Sequence, residues 1–184
     1  MVKEKLLIVL LGPTASGKTA LSLNLAEHFS GEIVSCDSVA IFREMEIGTA
    51  KPSREERQRA PHHLIDIRNP DEPYTAGDYS RDARESLTGI SERGNLPIVT
   101  GGTGLYLRAL IDGLFAGPAR SESLRDRLRK KEARHGAGTL HRLLAQIDPA
   151  TAATMHANDL PKIIRALEVP LLTRRTLSDR KSVV

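Results

Sequence analysis

Apolar and polar positions along the first two thirds of the chain switch repeatedly between two periods. Leu6–Leu11 is an unbroken aliphatic run, the pattern of a strand covered on both faces. From Lys18 to His28 apolar residues recur at helical spacing, through Leu21, Leu23, Leu25 and Ala26. Glu32–Cys36 reads as a second strand. Ser53–Arg59 reads as a short polar helix, with Ser53 and Glu56 at capping-box spacing. Leu64–Ile67 is a short strand candidate. Thr75–Arg93 predicts a helix capped by Thr75, with Tyr79, Ala83, Leu87 and Ile90 on one face. Pro97–Thr100 is a further strand; the turn Gly101-Gly102 and a helix over Gly104–Asp112 follow it. This alternation predicts an α/β fold, a parallel sheet with helices on both faces.

After Gly117-Pro118 the pattern turns helical throughout. Ser121–Arg134, Thr139–Gln146, Ala150–Met155 and Leu160–Thr173 all carry helical spacing, and no convincing strand follows. Asp159 is placed to cap the last helix, Pro161 is tolerated in its first turn, and Pro170 is expected to kink or end it. The expected organisation is therefore an α/β core over 1–117 and an all-helical part over 118–184.

Charge sharpens this division. Residues 1–119 hold 13 Lys+Arg and 16 Asp+Glu, a net −3, whereas residues 120–184 hold 14 and 7, a net +7. The basic segment is either a solvated helical surface or a nucleic-acid contact surface. Aromatic residues are only 3% of the chain, so the core must be mostly aliphatic. No apolar run is long enough to span a bilayer, so no membrane is expected. The single cysteine, Cys36, excludes an internal disulfide and fits a reducing cytoplasm, and a monomer is the expected state.

The candidate chemistry lies where strands meet helices. Gly12-Pro13-Thr14-Ala15-Ser16-Gly17-Lys18-Thr19 matches G-x-x-x-x-G-K-[ST] in full, after a strand and before a helix. Its glycines let successive backbone N–H groups face a diphosphate, Lys18 adds a full charge, and the Thr19 hydroxyl can ligate Mg²⁺. This predicts a core like that of the P-loop NTPases. Phosphate-loop hydrolases usually end a second hydrophobic strand in a metal-holding Asp; here that strand ends in Thr100-Gly101-Gly102. The acid that closes a good strand is Asp37. Ligands of an open parallel sheet sit at the carboxyl ends of its strands, so the phosphate loop, Ser35–Ser38 and Thr100–Thr103 are expected to share one mouth. Asp37 could accept a proton or hold a metal there, or only form a turn. Thr103 could offer a hydroxyl, or only cap a helix. Cys36 reads as a small buried hydrophobe. His62 and His63 should point to opposite faces of a strand, which argues for structural roles over a metal site. Gly48–Pro52 is expected as an exposed loop near the mouth, where Lys51 meets phosphate or water.

The stretches GPTASGKT, SCDS, IGTAKPS, PHHLID, GGTGLYLRALIDGL and NDLPKIIRALEV occur in this order. Together they resemble the tRNA dimethylallyltransferase (tRNA isopentenyltransferase) family, from about Leu6 to Ser178. The resemblance implies transfer of a dimethylallyl group from dimethylallyl diphosphate to N6 of the adenosine 3′ of the anticodon. The diphosphate is then a leaving group, which accounts for the missing hydrolase Asp. It further implies that Gly12–Thr19 cradle the diphosphate with Mg²⁺ on Thr19, and that Asp37 and Thr103 are catalytic. Asp37, Ser38, Val39, Ala40, Thr103 and Arg125, with Pro161, Lys162, Ile163, Ile164 and Arg165, would contact the tRNA anticodon arm, and the basic part would be a helical insertion. The sequence departs from the family where Ala40 replaces a frequent Gln, where Pro170 stands at a helix-compatible position, and where Arg174 stands at a glycine position. It is also shorter than the family, as a C-terminally truncated member would be. Two other readings stay open: a small phosphate-loop metabolite kinase, and a non-catalytic module that binds tRNA or nucleotide.

Overall fold

The structure, a computed structural model, describes residues 6–114 and 117–181. The chain divides into two compact units, Met1–Leu114 and Phe115–Val184. In the first unit, strands β1 (Ile8–Leu11), β2 (Gly31–Cys36), β3 (His62–His63) and β4 (Leu96–Gly101) form one parallel sheet in the order β1-β4-β2-β3. Helices α1 (Lys18–Phe29), α2 (Arg54–Arg59), α3 (Ala76–Glu92) and α4 (Gly104–Ile111) connect and cover the strands.

The two central strands explain the sidedness. Successive side chains of a strand face opposite ways. Ile33 and Ile98 pack with Leu23 and Ala26 of α1, while their neighbours Val34 and Val99 pack with Tyr79, Ala83 and Ile90 of α3 and with Tyr106 and Leu110 of α4. The sheet therefore has helices on both faces, as the alternation predicted. Tyr79 and Tyr106 stack at 4.4 Å, so two of the few aromatic rings tie α3 to α4.

Caps legible in the sequence are formed. Ser53 and Glu56 make a capping box on α2, and Thr75 makes one with Asp78 on α3. The strand expected over Leu64–Ile67 is absent. Leu64 and Asp66 have φ of 61° and 56°, which breaks extended backbone, and the strand lies two residues earlier at His62–His63, paired with Ile33 and Val34.

The second unit holds α5 (Glu122–His135), α6 (Thr139–Ile147), α7 (Pro149–Ala152), α8 (Leu160–Thr173) and α9 (Leu177–Lys181). Its core is Leu128, Leu140, Leu144, Ala152, Ile163, Ile164, Ala166 and Leu167. Asp159 caps α8 and Pro161 sits in its first turn. Pro170 does not end α8; the helix continues through it to Thr173, and Arg174 closes it in the left-handed conformation with φ 57°. Buried Asp148 caps α7 through Thr151 and also accepts from the backbone of Leu177 and Ser178, which anchors α9.

Candidate functional site

A cleft of about 530 Å³ opens at the carboxyl ends of the strands in the first unit. The phosphate loop forms one wall of it. Gly17, at φ 82°, turns the chain into α1, a conformation open to glycine at no steric cost. The first turn of α1 carries no acidic residue and no side-chain cap, so its N–H groups and positive potential are free to meet an anion. Lys18 donates to its own loop, at Pro13 O (2.6 Å) and Ser16 Oγ (3.3 Å). It holds the loop curled around the position a diphosphate would take. Of the motif, Gly12 and Thr14–Thr19 line the cleft, while Pro13 contributes its carbonyl to Lys18.

Asp37 lines the same cleft from the end of β2. Its Oδ1 accepts from the backbone N–H groups of Val39 (2.8 Å) and Ala40 (3.2 Å). Oδ2 has no partner among the described residues. The turn thus orients the carboxylate and leaves one oxygen free for a ligand. Ala40 also lines the cleft, although only 3% of its surface is exposed. Ser38 and Val39 do not line it.

Thr103 stands behind this wall and is not part of the cleft lining. It holds the N-cap position of α4, but its side chain makes no capping bond. Instead Thr103 Oγ1 accepts from Ser38 N (3.0 Å), and Thr103 N donates to Cys36 O (3.1 Å). These bonds fasten the turn after β4 to the turn after β2, which carries Asp37. The fastening demands glycine next door: a Cβ on Gly101 would lie 2.1 Å from Cys36 O. Cys36 itself is buried, and burial pushes its thiol pKa up.

The cleft also takes in residues that the sequence did not assign to it, together with Ala50 and Pro52 of the loop expected near the mouth. Glu56 of α2, His62 of β3, Ala50, Pro52 and Ile65 all line the cleft. His62 Nδ1 lies 2.8 Å from Ala60 O; a carbonyl only accepts, so Nδ1 carries the proton. Burial pushes the His62 pKa down despite that bond, and the neutral ring keeps Nε2 as an acceptor. His63 turns to Glu32 (2.6 Å), so the two histidines do have separate partners. Lys51, expected in an exposed loop, has its side chain turned inward. It is buried against Phe42 O (2.6 Å) and Asp66 (2.7 Å), and Arg57 holds the other Asp66 oxygen. Burial works to raise the Asp66 pKa, and the bonds from Lys51 and Arg57 outweigh it, leaving the carboxyl below its ordinary range.

In the helical unit the residues matched to an RNA contact separate into two groups. Pro161 and Lys162 are exposed, with Lys162 on Asp159. Ile163 and Ile164 belong to the hydrophobic core, so their side chains do not face outward. Arg125 is also turned inward: its side chain is 14% exposed and bonds the buried Glu168, which Arg165 and Ser121 N bond too. Among the outward cations of α5, Arg129 pairs with Asp126, while Arg127, Lys130, Lys131 and Arg134, at i, i+3, i+4 and i+7, form one helical stripe. That spacing is visible in the sequence once the helix is placed.

A phosphate loop opening α1, and an oriented carboxylate across one cleft at the strand ends, define this as a phosphate-loop α/β protein with a separate basic helical unit. Residues 40–183 match the family described as IPP transferase. The chain is 60% identical over 178 residues to the tRNA dimethylallyltransferase of Koribacter versatilis, covering 97% of this chain and 58% of that protein. It is 58% identical to that of Solibacter usitatus, covering 94% and 56%. Among solved structures it resembles a eukaryotic dimethylallyltransferase acting on tRNA, with TM-score 0.79 and 28% identity over 97% of this chain and 44% of that one. It also resembles the tRNA isopentenylpyrophosphate transferase of Bacillus halodurans, with TM-score 0.60 and 45% identity over 93% and 56%. The chain belongs to the IPP transferase family, and it spans a little under three fifths of the length of the curated relatives it matches.

Proposed function

We propose that this chain takes part in tRNA modification, transferring a dimethylallyl group from dimethylallyl diphosphate to N6 of the adenosine 3′ of the anticodon. The observation that carries this reading is the single cleft in which the phosphate loop faces an oriented Asp37. The diphosphate lies in the cradle of Gly12–Thr19, with Lys18 released from Pro13 to meet it. The adenine leaves its stack to reach the cleft, as base-modifying enzymes require. N6 attacks the allylic carbon, the carbon–oxygen bond to diphosphate breaks, and Asp37 Oδ2 takes the amine proton. Mg²⁺ fits the oxygen donors present, with the Thr19 hydroxyl, unpartnered among the described residues, as its protein ligand, and when bound it would neutralise charge on the departing diphosphate. Thr103 acts through Ser38, as a positioning residue for the Asp37 turn. The outward stripe of α5, with Lys162, meets the phosphates of the anticodon arm. The protein works in the cytoplasm, without self-association. The names of the relatives support prenyl transfer over metabolite phosphorylation.

One observation favours a second reading, a module that binds without turnover: the basic stripe of α5 lies in a compact unit of its own, apart in sequence from the residues of the cleft. One experiment separates the two. Purified chain is incubated with dimethylallyl diphosphate, Mg²⁺ and unmodified tRNA, and the digested nucleosides are weighed by mass spectrometry. Appearance of N6-dimethylallyladenosine is expected. Binding of tRNA with no product, while a full-length relative works alongside, would establish the second reading and overturn the first.

A further inference from the structure

The two histidines of β3 serve different spaces. His62 lines the cleft, and His63 lines a second cavity of about 420 Å³ between α3 and the segment that follows β3. Arg68 lines this cavity with a guanidinium that makes no hydrogen bond among the described residues, and its Nε is buried. A buried charged donor without a partner is costly. The side chain is nonetheless held in place. Arg68 Cζ lies 5.5 Å from the centroid of the Tyr74 ring, a cation–π contact, and Tyr74 Oη donates to Asp82 (3.0 Å). Arg93 reaches the same cavity. Its Nε and Nη2 are spent on Glu32 (3.0 and 2.7 Å), which leaves Nη1 unpartnered among the described residues. Gly89, inside α3, makes the room: a Cβ there would lie 3.3 Å from Nη1. Glycine inside a helix costs stability, and this one keeps open a space that alanine would narrow. Of the acids at the cavity, Asp82 already accepts from Tyr74 and Arg81. Glu85 is exposed and pairs with neither arginine.

The geometry points to a second anion site: the cavity takes a small molecule bearing an oxyanion, a phosphate ester or a carboxylate, on the Arg68 guanidinium and Arg93 Nη1. A guanidinium presents paired N–H groups whose spacing matches the oxygens of both anions. Its stacking on Tyr74 fixes the plane of Arg68 before a ligand arrives, so little freedom is lost on binding. The volume suits a small ligand. The site is separate from the proposed prenyl transfer, because none of the residues lining this cavity lines the cleft.

The test follows the Arg68 Nε–H resonance by NMR as inorganic phosphate, and separately succinate, is added at constant ionic strength. A saturable shift is expected, with a midpoint of about 1 mM for the better ligand, and the tighter of the two identifies the source of the oxyanion. Phosphate also suits the phosphate loop, so the titration is repeated in Lys18→Ala, where the Arg68 response should persist. In that same background, calorimetry should show binding weakened by about tenfold in Arg68→Gln. It should also be weakened in Gly89→Ala, whose thermal midpoint should not fall, so that misfolding does not account for the loss. No response, a drift without saturation, or a response that disappears in Lys18→Ala would overturn the inference; so would unchanged affinity in either variant. Pairing of Arg68 with Glu85 in solution would overturn it too: the Nε–H resonance would then move in Glu85→Gln without any anion, and the anion response would be missing. These readouts require no catalysis, so they stand or fall apart from the proposed prenyl transfer.

Discussion

Single residues of the cleft follow from sterics and hydrogen bonding. Gly101 lies so close to the Cys36 carbonyl that even one methyl group must force β2 and β4 apart. Gly101→Ala is expected to destabilise the α/β unit by about 2–3 kcal/mol, read as a lowered urea midpoint. Arg174 shows the reverse case. It ends α8 at φ 57° and ψ 19°, where a Cβ costs energy and glycine does not. Arg174→Gly should therefore raise the stability of the helical unit by about 0.5–1 kcal/mol, whereas Arg174→Ala should give no gain in a thermal melt. The phosphate loop and Asp37 were legible residue by residue, because their chemistry depends on residue type at fixed spacing. His62 and Glu56 were not. They reach the cleft only through the pairing of β3 with β2 and the placement of α2, which no local pattern encodes.

At the level of elements, periodicity made the long helices and central strands legible, with ends moving by a residue or two. Elements held by tertiary contacts alone were not. β3 is two histidines, with no strand pattern of its own. It exists because it pairs with Ile33 and Val34 of β2. Pro170 misled in the other direction. A proline inside a helix removes one backbone donor and crowds the preceding turn, yet α8 buries Ile163, Ile164, Ala166, Leu167, Glu168 and Val169 around it. Packing outweighs the local defect. Pro170→Ala should therefore stabilise the unit, by about 1–3 kcal/mol, without changing its fold; a loss of stability in chemical denaturation would contradict this account of α8.

The whole molecule carries its ionic interactions where acid will find them. The bond from Arg93 is the main cause holding the Glu32 pKa at about 2, assisted by Asn95 and His63 against the opposing effect of burial. For Asp148 and Glu168 burial is the largest influence and acts upward. Thr151 and Ser178 in the first case, and Arg125, Ser121 and Arg165 in the second, together override it and bring each to about 2. Carboxyls lowered in the folded state contribute stability above their ordinary values, 3.8 for Asp and 4.5 for Glu, and lose it as pH falls toward 2. Stability should hold down to about pH 4.5 and then fall, and Glu168→Gln should flatten that fall while lowering stability at pH 7. The charge division between the two units was legible in composition, but its outward part was not. Arg125, the expected RNA contact, is committed to Glu168, and the outward stripe is Arg127, Lys130, Lys131 and Arg134. Replacing Lys130 and Lys131 together by Ala should weaken tRNA binding at low salt and reduce the salt dependence by roughly two ionic contacts.

The central claim is that one cleft divides its work, with the phosphate loop holding the diphosphate and Asp37 serving the other reactant. Calorimetric titration of dimethylallyl diphosphate with Mg²⁺ tests it most directly, in the unaltered chain, in Lys18→Ala and in Asp37→Asn, which keeps the Oδ1 turn. Binding is expected to weaken by about tenfold or more in Lys18→Ala, the loss of one charge-assisted contact, and to stay unchanged in Asp37→Asn. Equal affinity in all three proteins, or a loss in Asp37→Asn as large as in Lys18→Ala, would contradict the division of labour on which the proposed reaction rests.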